Sequence, residues 1–181
     1  MKQFVALIVA LLFAGCMTIG KTGYDAATDE RSVGKQMGDA EIWGQIKSEL
    51  LRSSVKGTNG ISVFCRNGIV VLTGVVEKGS HAGVEAVRIA TEVEGVKKVG
   101  TFFLPSQSSP ISDFVIKQKI HYKMVGDSDL VAGQIDMTVI DGHVVLVGVI
   151  ESGDNVKRII AIAYATKGVK AVISFIQTVP R

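Results

Sequence analysis

Residue types that carry most enzyme chemistry are scarce in this chain. Its 181 residues hold two cysteines, Cys16 and Cys65, and three histidines, His81, His121 and His143. The histidines fall at a helix start, within a helix and at a hairpin turn. None has a second histidine four positions away or a cysteine partner, so no metal site and no other cofactor is expected. A Gly-x-Ser-x-Gly nucleophile elbow is absent, and Ser80 beside His81 in "EKGSHAG" reads as a helix cap. Glu92 and Glu94 sit together at a helix end, where carboxylates are solvated. With no catalytic constellation, the chain is expected not to be an enzyme. Net charge is also small, +3, which excludes the broad basic field that nucleic acid requires. Long apolar runs are missing too. Phe4 to Phe13 is unbroken, but a bilayer span needs about 20 residues.

What is present begins with "LLFAGCMTIGKTG", residues 11 to 23, which satisfies two patterns at once. Gly15 to Thr22 fits the phosphate-binding pattern G-x-x-x-x-G-K-[ST]. Such a loop needs a strand before it and a helix directly after it, yet "GYDAATDERSVGKQMG" follows with no helical apolar period. No later apolar strand ends on a carboxylate suited to magnesium, so no nucleotide is expected. In the other reading, Met1-Lys2 is a short positive start, the apolar run follows, and Ala14-Gly15-Cys16 is a small-residue cleavage site. The segment resembles a bacterial lipobox, which implies lipidation of Cys16 and a mature chain beginning there. An ordinary signal peptide cleaved near Gly15 is the alternative. Met17 is not the Asp that tends to keep lipoproteins in the inner membrane, so the periplasmic face of the outer membrane is expected. With Cys16 acylated no intramolecular disulfide can form, and Cys65, in phase with Ile61 and Val63, reads as a small buried side chain.

From Asp39 onward the chain repeats itself. "DAEIWGQIKSELL" aligns with "DFVIKQKIHYKMV" from Asp113, and "ISVFCRNGIVVLTGVVEKG" with "IDMTVIDGHVVLVGVIESG", at a constant shift of 74 positions. After Gly79 and Gly153 the shift becomes 73, and "EGVKKVGTFF" then matches "KGVKAVISFI". A unit of about 70 residues is longer than solenoid periods and can hold its own small core. In each unit an aspartate of the N-cap type opens an apolar run at spacing four: Ile42, Ile46 and Leu50, or Ile116, Ile120 and Met124. An alternating hairpin follows, turning at Asn67-Gly68 or Asp141-Gly142. Ser80 or Asp154 then caps a second helix, carrying Val84, Val87, Ala90 and Val93, or Val156, Ile159, Ile160 and Ala163. Gly95 and Gly168 read as left-handed helix ends, and a third strand completes the unit. Gly74 and Gly148 stand where the alternation would place a valine. They read as points where a helix approaches the sheet closely, with a β-bulge as the alternative.

The aspartate with its spacing-four residues, the "NGIVVLTGVV" and "DGHVVLVGVI" hairpins, and "GVKKV" and "GVKAV" after a helix resemble the BON domain of bacterial envelope proteins. Two such units behind a lipobox resemble the dual-BON outer-membrane lipoproteins, from about Asp29 to the C-terminus. The resemblance implies an α+β fold of two tandem αββαβ domains, each a three-stranded mixed sheet with two helices on one face. It also implies no catalytic residues, and binding of phospholipid, often anionic, in support of envelope integrity. The expected division is a lipoprotein signal over 1–15, a lipidated linker over 16–38, domains over 39–104 and 113–181, and a linker over 105–112.

The two copies differ on the outer side of their first helix. With Ile116, Ile120 and Met124 facing the core, Phe114, Val115, Tyr122 and Val125 face away, with Lys117, Lys119, His121 and Lys123 between the faces. Exposed apolar residues flanked by lysines suit the boundary between acyl chains and anionic headgroups. The first copy has Ala40, Glu41, Ser48 and Leu51 at the matching outward positions and Glu49 in place of Lys123. The competing explanation is that Phe114, Val115 and Tyr122 form the seam between the domains, joined as they are by the short "LPSQSSPIS". Two function classes follow: a lipid-anchored phospholipid-binding module, or a scaffold offering that face to an envelope protein.

The lipobox reading predicts that Cys16→Ser abolishes acylation. Metabolic labelling with a tagged fatty acid should mark the wild type and leave the variant unmarked, and label on the variant would refute the lipobox.

Overall fold

The computed structural model describes residues 33–105 and 109–179. The apolar run, Cys16 and the Gly15–Thr22 pattern lie outside the described residues. The first half runs α1 (Val33–Arg52), β1 (Ser62–Arg66), β2 (Ile69–Val75), α2 (Ala82–Glu92) and β3 (Lys98–Leu104). The second runs α3 (Pro110–Val125), β4 (Ile135–Ile140), β5 (His143–Ile150), α4 (Gly153–Tyr164) and β6 (Ala171–Thr178). In each half the hairpin strands pair antiparallel and the third strand pairs parallel with the middle one, giving orders β1-β2-β3 and β4-β5-β6. The chain is therefore α+β, with the tandem αββαβ order that its sequence predicts.

Packing follows from the periods. Ile42, Ile46 and Leu50 of α1 are buried against Val70 and Leu72 of β2, and Ile116, Ile120 and Met124 of α3 against Val144 and Leu146 of β5. In the second helix of the first half the expected Ala90 is buried and Val87 and Val93 pack on the core, but Val84 does not. Ala82, Ala86, Ile89 and Ala90 are buried, while Val84 is 72% exposed. Small residues on that stripe let α2 lie close to the sheet, and a Cβ on Gly83 would come within 3.2 Å of the Phe103 ring. In the second half Ile159 and Ala163 are buried as expected.

The aspartates do not cap. α1 begins at Val33, well before Asp39, and α3 is capped by Ser109, whose Oγ accepts from the Ser112 N–H. Asp39 and Asp113 are instead buried in their helices, and each accepts from two successive amides of the hairpin turn. Asp39 takes the Asn67 and Gly68 N–H groups, both at 2.8 Å. Asp113 takes those of Asp141 at 2.7 Å and Gly142 at 2.8 Å. The turns are of the type the dipeptides predict, with φ of 54° and 75° at Asn67 and Gly68 and 49° and 75° at Asp141 and Gly142. Cys65 is buried, and its Sγ donates to Asp39 Oδ1 at 3.4 Å. The N-cap of α2 is His81, without a side-chain cap bond, and not Ser80, which stands one residue earlier and accepts from the Ala82 N–H at 3.1 Å. The cap of α4 is Ser152, with Asp154 in its first turn.

Gly148 lies on the helix-facing side of β5, but its close neighbour is not a core helix. A Cβ there would stand 2.7 Å from Gln134 O and 2.5 Å from Ile135 Cδ1, where a 3-10 turn enters β4. Gly74 meets Gly60 O in the corresponding place, at 3.3 Å. The crowding comes from the partner strand's entrance, because that turn folds back over the end of the middle strand.

The two sheets pack on each other through the faces that their helices leave uncovered. Val71, Val145 and Val147 are buried there with Phe64, Phe102, Ile173 and Phe175 around them. Gly100 makes room for Phe175, whose Cε1 would lie 2.7 Å from a Cβ at that position. Arg66 reaches across to Asp136 at 2.6 Å, and Gln177 donates back to Arg66 O at 3.1 Å.

Removing the carboxylate in Asp113→Ala leaves two turn amides without an acceptor and should cost at least about 1–3 kcal/mol. Gly148→Val should cost on the order of 1–3 kcal/mol through overpacking, whereas Gly153, with nothing within 4 Å of its would-be Cβ, should tolerate alanine. Chemical denaturation checks all three, and an unchanged midpoint for Asp113→Ala or Gly148→Val would contradict the contacts described.

Candidate membrane-binding face

Because Ser109 and Pro110 start α3 one turn ahead of Asp113, Ile111 joins the helix. The residues facing away from the core then form one stripe, apolar but for the exposed Gln118 at its middle. Ile111 is 79%, Phe114 62%, Val115 42%, Tyr122 80% and Val125 61% exposed. At a rise of 1.5 Å per residue the stripe is about 21 Å long. Ile111 is missing from the face expected on sequence, because "SSPIS" reads as linker. Its signal was the serine-proline pair, which places a cap and a first helical residue just before it.

The basic residues separate into two rows. Lys119 and Lys123 lie toward α4, and Lys123 donates to Thr166 Oγ1 at 3.1 Å and to Ala165 O at 3.4 Å, which ties it to the end of that helix. Lys117 and His121 lie toward β4, at positions equivalent to Trp43 and Lys47, whose side chains reach the edge of β1. All four are exposed. Phe114, Val115, Lys117, Lys119, His121, Tyr122 and Lys123 are thus brought together on one helix, with the apolar stripe between the rows. The stripe takes no part in the seam, which the sheet faces make.

The first half presents a different surface. Ala40, Glu41 and Leu51 are exposed and Ser48 is half-buried. Several of its helix charges pair with one another. Arg88 bridges Glu85 at 2.8 Å and Glu92 at 2.7 Å, and Arg52 pairs with Glu49 at 2.6 Å. The Arg88 hydrogen bond holds the Glu85 carboxyl below its ordinary range. The two carboxylates in turn raise the guanidinium further above its own. The surface carries several ion pairs, and of those four positions only Leu51 holds a large apolar side chain.

His81 and His121 are exposed, and His143 is half-buried, with Nδ1 3.0 Å from Asp141 O and its ring 5.7 Å from that of Phe102. Among the described residues no group of histidine, cysteine and carboxylate side chains is arranged to hold a metal ion. No described helix is long and apolar enough to cross a membrane.

The family described as BON domain matches residues 38–101 and again 112–180. The osmotically-inducible protein Y of Escherichia coli (strain K12) is 29% identical over 163 residues, covering 86% of this chain and 80% of that protein. An uncharacterized protein in the gshII 5′ region of Anaplasma centrale is 27% identical over 144 residues, covering 77% of this chain and 93% of that protein. Among solved structures, the C-terminal domain of CdsD, the structural protein of the type III secretion system of Chlamydia trachomatis, aligns with a TM-score of 0.33 at 16% identity. That alignment covers 78% of this chain and 67% of that one.

Proposed function

The chain belongs to the BON-domain family, and on that premise we propose that it is a lipid-anchored envelope protein whose second domain binds anionic phospholipid through the outward face of α3. The observation that carries this reading is the stripe from Ile111 to Val125, an apolar surface left exposed by both the core and the seam. Five large apolar residues exposed on one helix face mark an interaction site. Basic rows on both sides give it the cross-section of a helix lying in a headgroup layer, with rings and aliphatic chains below and ammonium groups at phosphate level.

In this reading residues 1–15 are the signal, Cys16 carries the acyl chains, and the outer membrane holds the chain from its periplasmic face. A single acyl chain binds a membrane only marginally, and a second contact makes attachment stable. The name of the Escherichia coli relative refers to osmotic induction, which suits a role at the envelope.

The test uses residues 17–181, which lack the anchor, and vesicles of phosphatidylglycerol and phosphatidylcholine. Sedimentation with the vesicles should rise with the anionic fraction and fall with salt. Each lysine near such a surface contributes about 1 kcal/mol, so Lys117→Glu with Lys119→Glu should weaken binding by at least roughly 30-fold. Lys123 is left unaltered, since it also holds the end of α4. Phe114→Ala and Tyr122→Ala should lower the part of binding that resists salt, because buried apolar area does not depend on ionic strength. Glu41→Gln and Glu49→Gln should change little. Vesicle binding indifferent to Phe114 and Tyr122 would refute the assignment, and no binding at all would favour an envelope protein as the partner of this face.

A further inference from the structure

The edges of the two sheets differ in a way that the lipid reading leaves unexplained. β1 and β4 are corresponding outer strands, each paired on one side only. In a two-residue hairpin the residues flanking the turn exchange both ladder bonds, and alternate residues point their polar groups away from the partner. From the pairs Arg66↔Ile69 and Ile140↔His143 it follows that Ile61, Val63 and Cys65 face outward on β1, and Ile135, Met137 and Val139 on β4.

On β1 two outward carbonyls are occupied by side chains from α1. The Trp43 indole N–H donates to Val63 O at 3.1 Å, and the Lys47 ammonium donates to Ile61 O at 3.0 Å. Side chains laid across an outer strand block the addition of another strand. The equivalent positions in the second half hold Lys117 and His121. Among the described residues neither of these makes a hydrogen bond or ion pair, so the guard of β1 is missing from β4, and Lys117 and His121 stand on the side of α3 that faces this edge.

We propose that the outer edge of β4 receives an extended acidic segment of a partner protein as a fourth strand, lying alongside α3. Strand addition draws its affinity from main-chain bonds and its specificity from alternate side chains. Side chains of the incoming strand on the α3 side lie below Lys117 and His121, which selects carboxylates there. Those on the other side fall beside Asp136, which faces the seam and is held by Arg66, so carboxylates are disfavoured and uncharged residues fit. The partner segment is therefore acidic at every second residue. The outer edges of β3 and β6 offer no such selection: β6 has no charged residue between Ala171 and Thr178, and β3 has only Lys98. A phospholipid surface cannot supply the alternating donors and acceptors of a strand, so this site is separate from the lipid face even though Lys117 borders both.

The test uses residues 17–181, which contain every described residue and both cores, and blocked seven-residue peptides alternating glutamate with threonine or lysine with threonine. The acidic peptide should slow amide exchange and shift the amide resonances of Ile135, Met137 and Val139, and the basic one should not. The double variant Lys117→Trp with His121→Lys rebuilds the guard of the first half while keeping a basic group at the edge, and should bind the acidic peptide at least tenfold more weakly. Lys117→Glu leaves the edge open but should reverse the preference toward the basic peptide. Equal binding of both peptides to the wild type, unaltered affinity in the guarded variant, or resonance changes along Ala171–Thr178 in place of β4 would each overturn the proposal. None of these readings depends on vesicles, so the lipid assignment and this one fail independently.

Discussion

A buried carboxylate bonded to two successive turn amides is the contact on which each half of the molecule depends. A hairpin turn with positive φ at both central residues directs its N–H groups inward, where unpaired donors cost about 1–3 kcal/mol each. Asp39 and Asp113 accept both from within the first helix. The loop after the second helix closes on the same turn, with Lys97 N–H donating to Gly68 O and Lys170 N–H to Gly142 O, both at 2.8 Å. Gly95 and Gly168, with φ of 86° and 102°, bring that loop against Ile42 and Ile116, leaving no room for a Cβ at Gly168, 2.9 Å from Ile116 Cδ1. First helix, hairpin and third-strand entrance thus meet at one point. Once the aspartate is bonded, the rotation of its helix is fixed, and with it the identity of every residue that faces outward.

That fixed rotation gives the seam its functional weight. If α3 had packed on the first domain, its outer stripe would be ordinary interior. Instead the domains join through their sheet faces, with Val71 against Val145 and Val147, and both helical layers point to solvent. The seam itself is not symmetric although the halves are repeats. Gly100 accommodates Phe175, while the position equivalent to Gly100 holds Ile173. One copy provides the hollow and the other the ring, which selects this pairing of the halves over its exchange.

The repeat, the hairpins with their left-handed turns and the outward stripe of α3 were legible in the sequence because each depends on residues close together in the chain. Asp39 and Asp113 misled for the opposite reason: a polar residue ahead of an apolar period looks the same whether it caps a helix or bonds a turn 28 positions later. Val84 misled because valine carries a stronger apolar signal than the alanines of α2 that lie inside. Gly148 was legible as a point of crowding, but the Gln134 carbonyl that crowds it belongs to a 3-10 turn with no apolar period. The seam was hidden because Val70, Val71 and Leu72 show a strand covered on both faces without showing what covers the second.

The first domain serves as an internal control for the second. Both copies build the same core from a first helix with three apolar residues at spacing four, a hairpin and a third strand. α1 does so with Ala40, Glu41, Ser48 and Leu51 facing outward, so the architecture does not require the residues that α3 has at 114, 115 and 122. Likewise β1 shows that a first helix can close the adjacent strand edge with an indole and an ammonium group, which α3 does not do. Phe114, Val115 and Tyr122 on one side of α3, and the unguarded β4 edge on another, are therefore additions to a scaffold that is complete without them. Exposed apolar surface and an open strand edge both favour association, and α3 exposes more large apolar residues, Ile111, Phe114, Val115, Tyr122 and Val125, than α1, which exposes Trp43 and Leu51. The two domains share a fold and differ in what the outer side of the first helix and the edge beside it present.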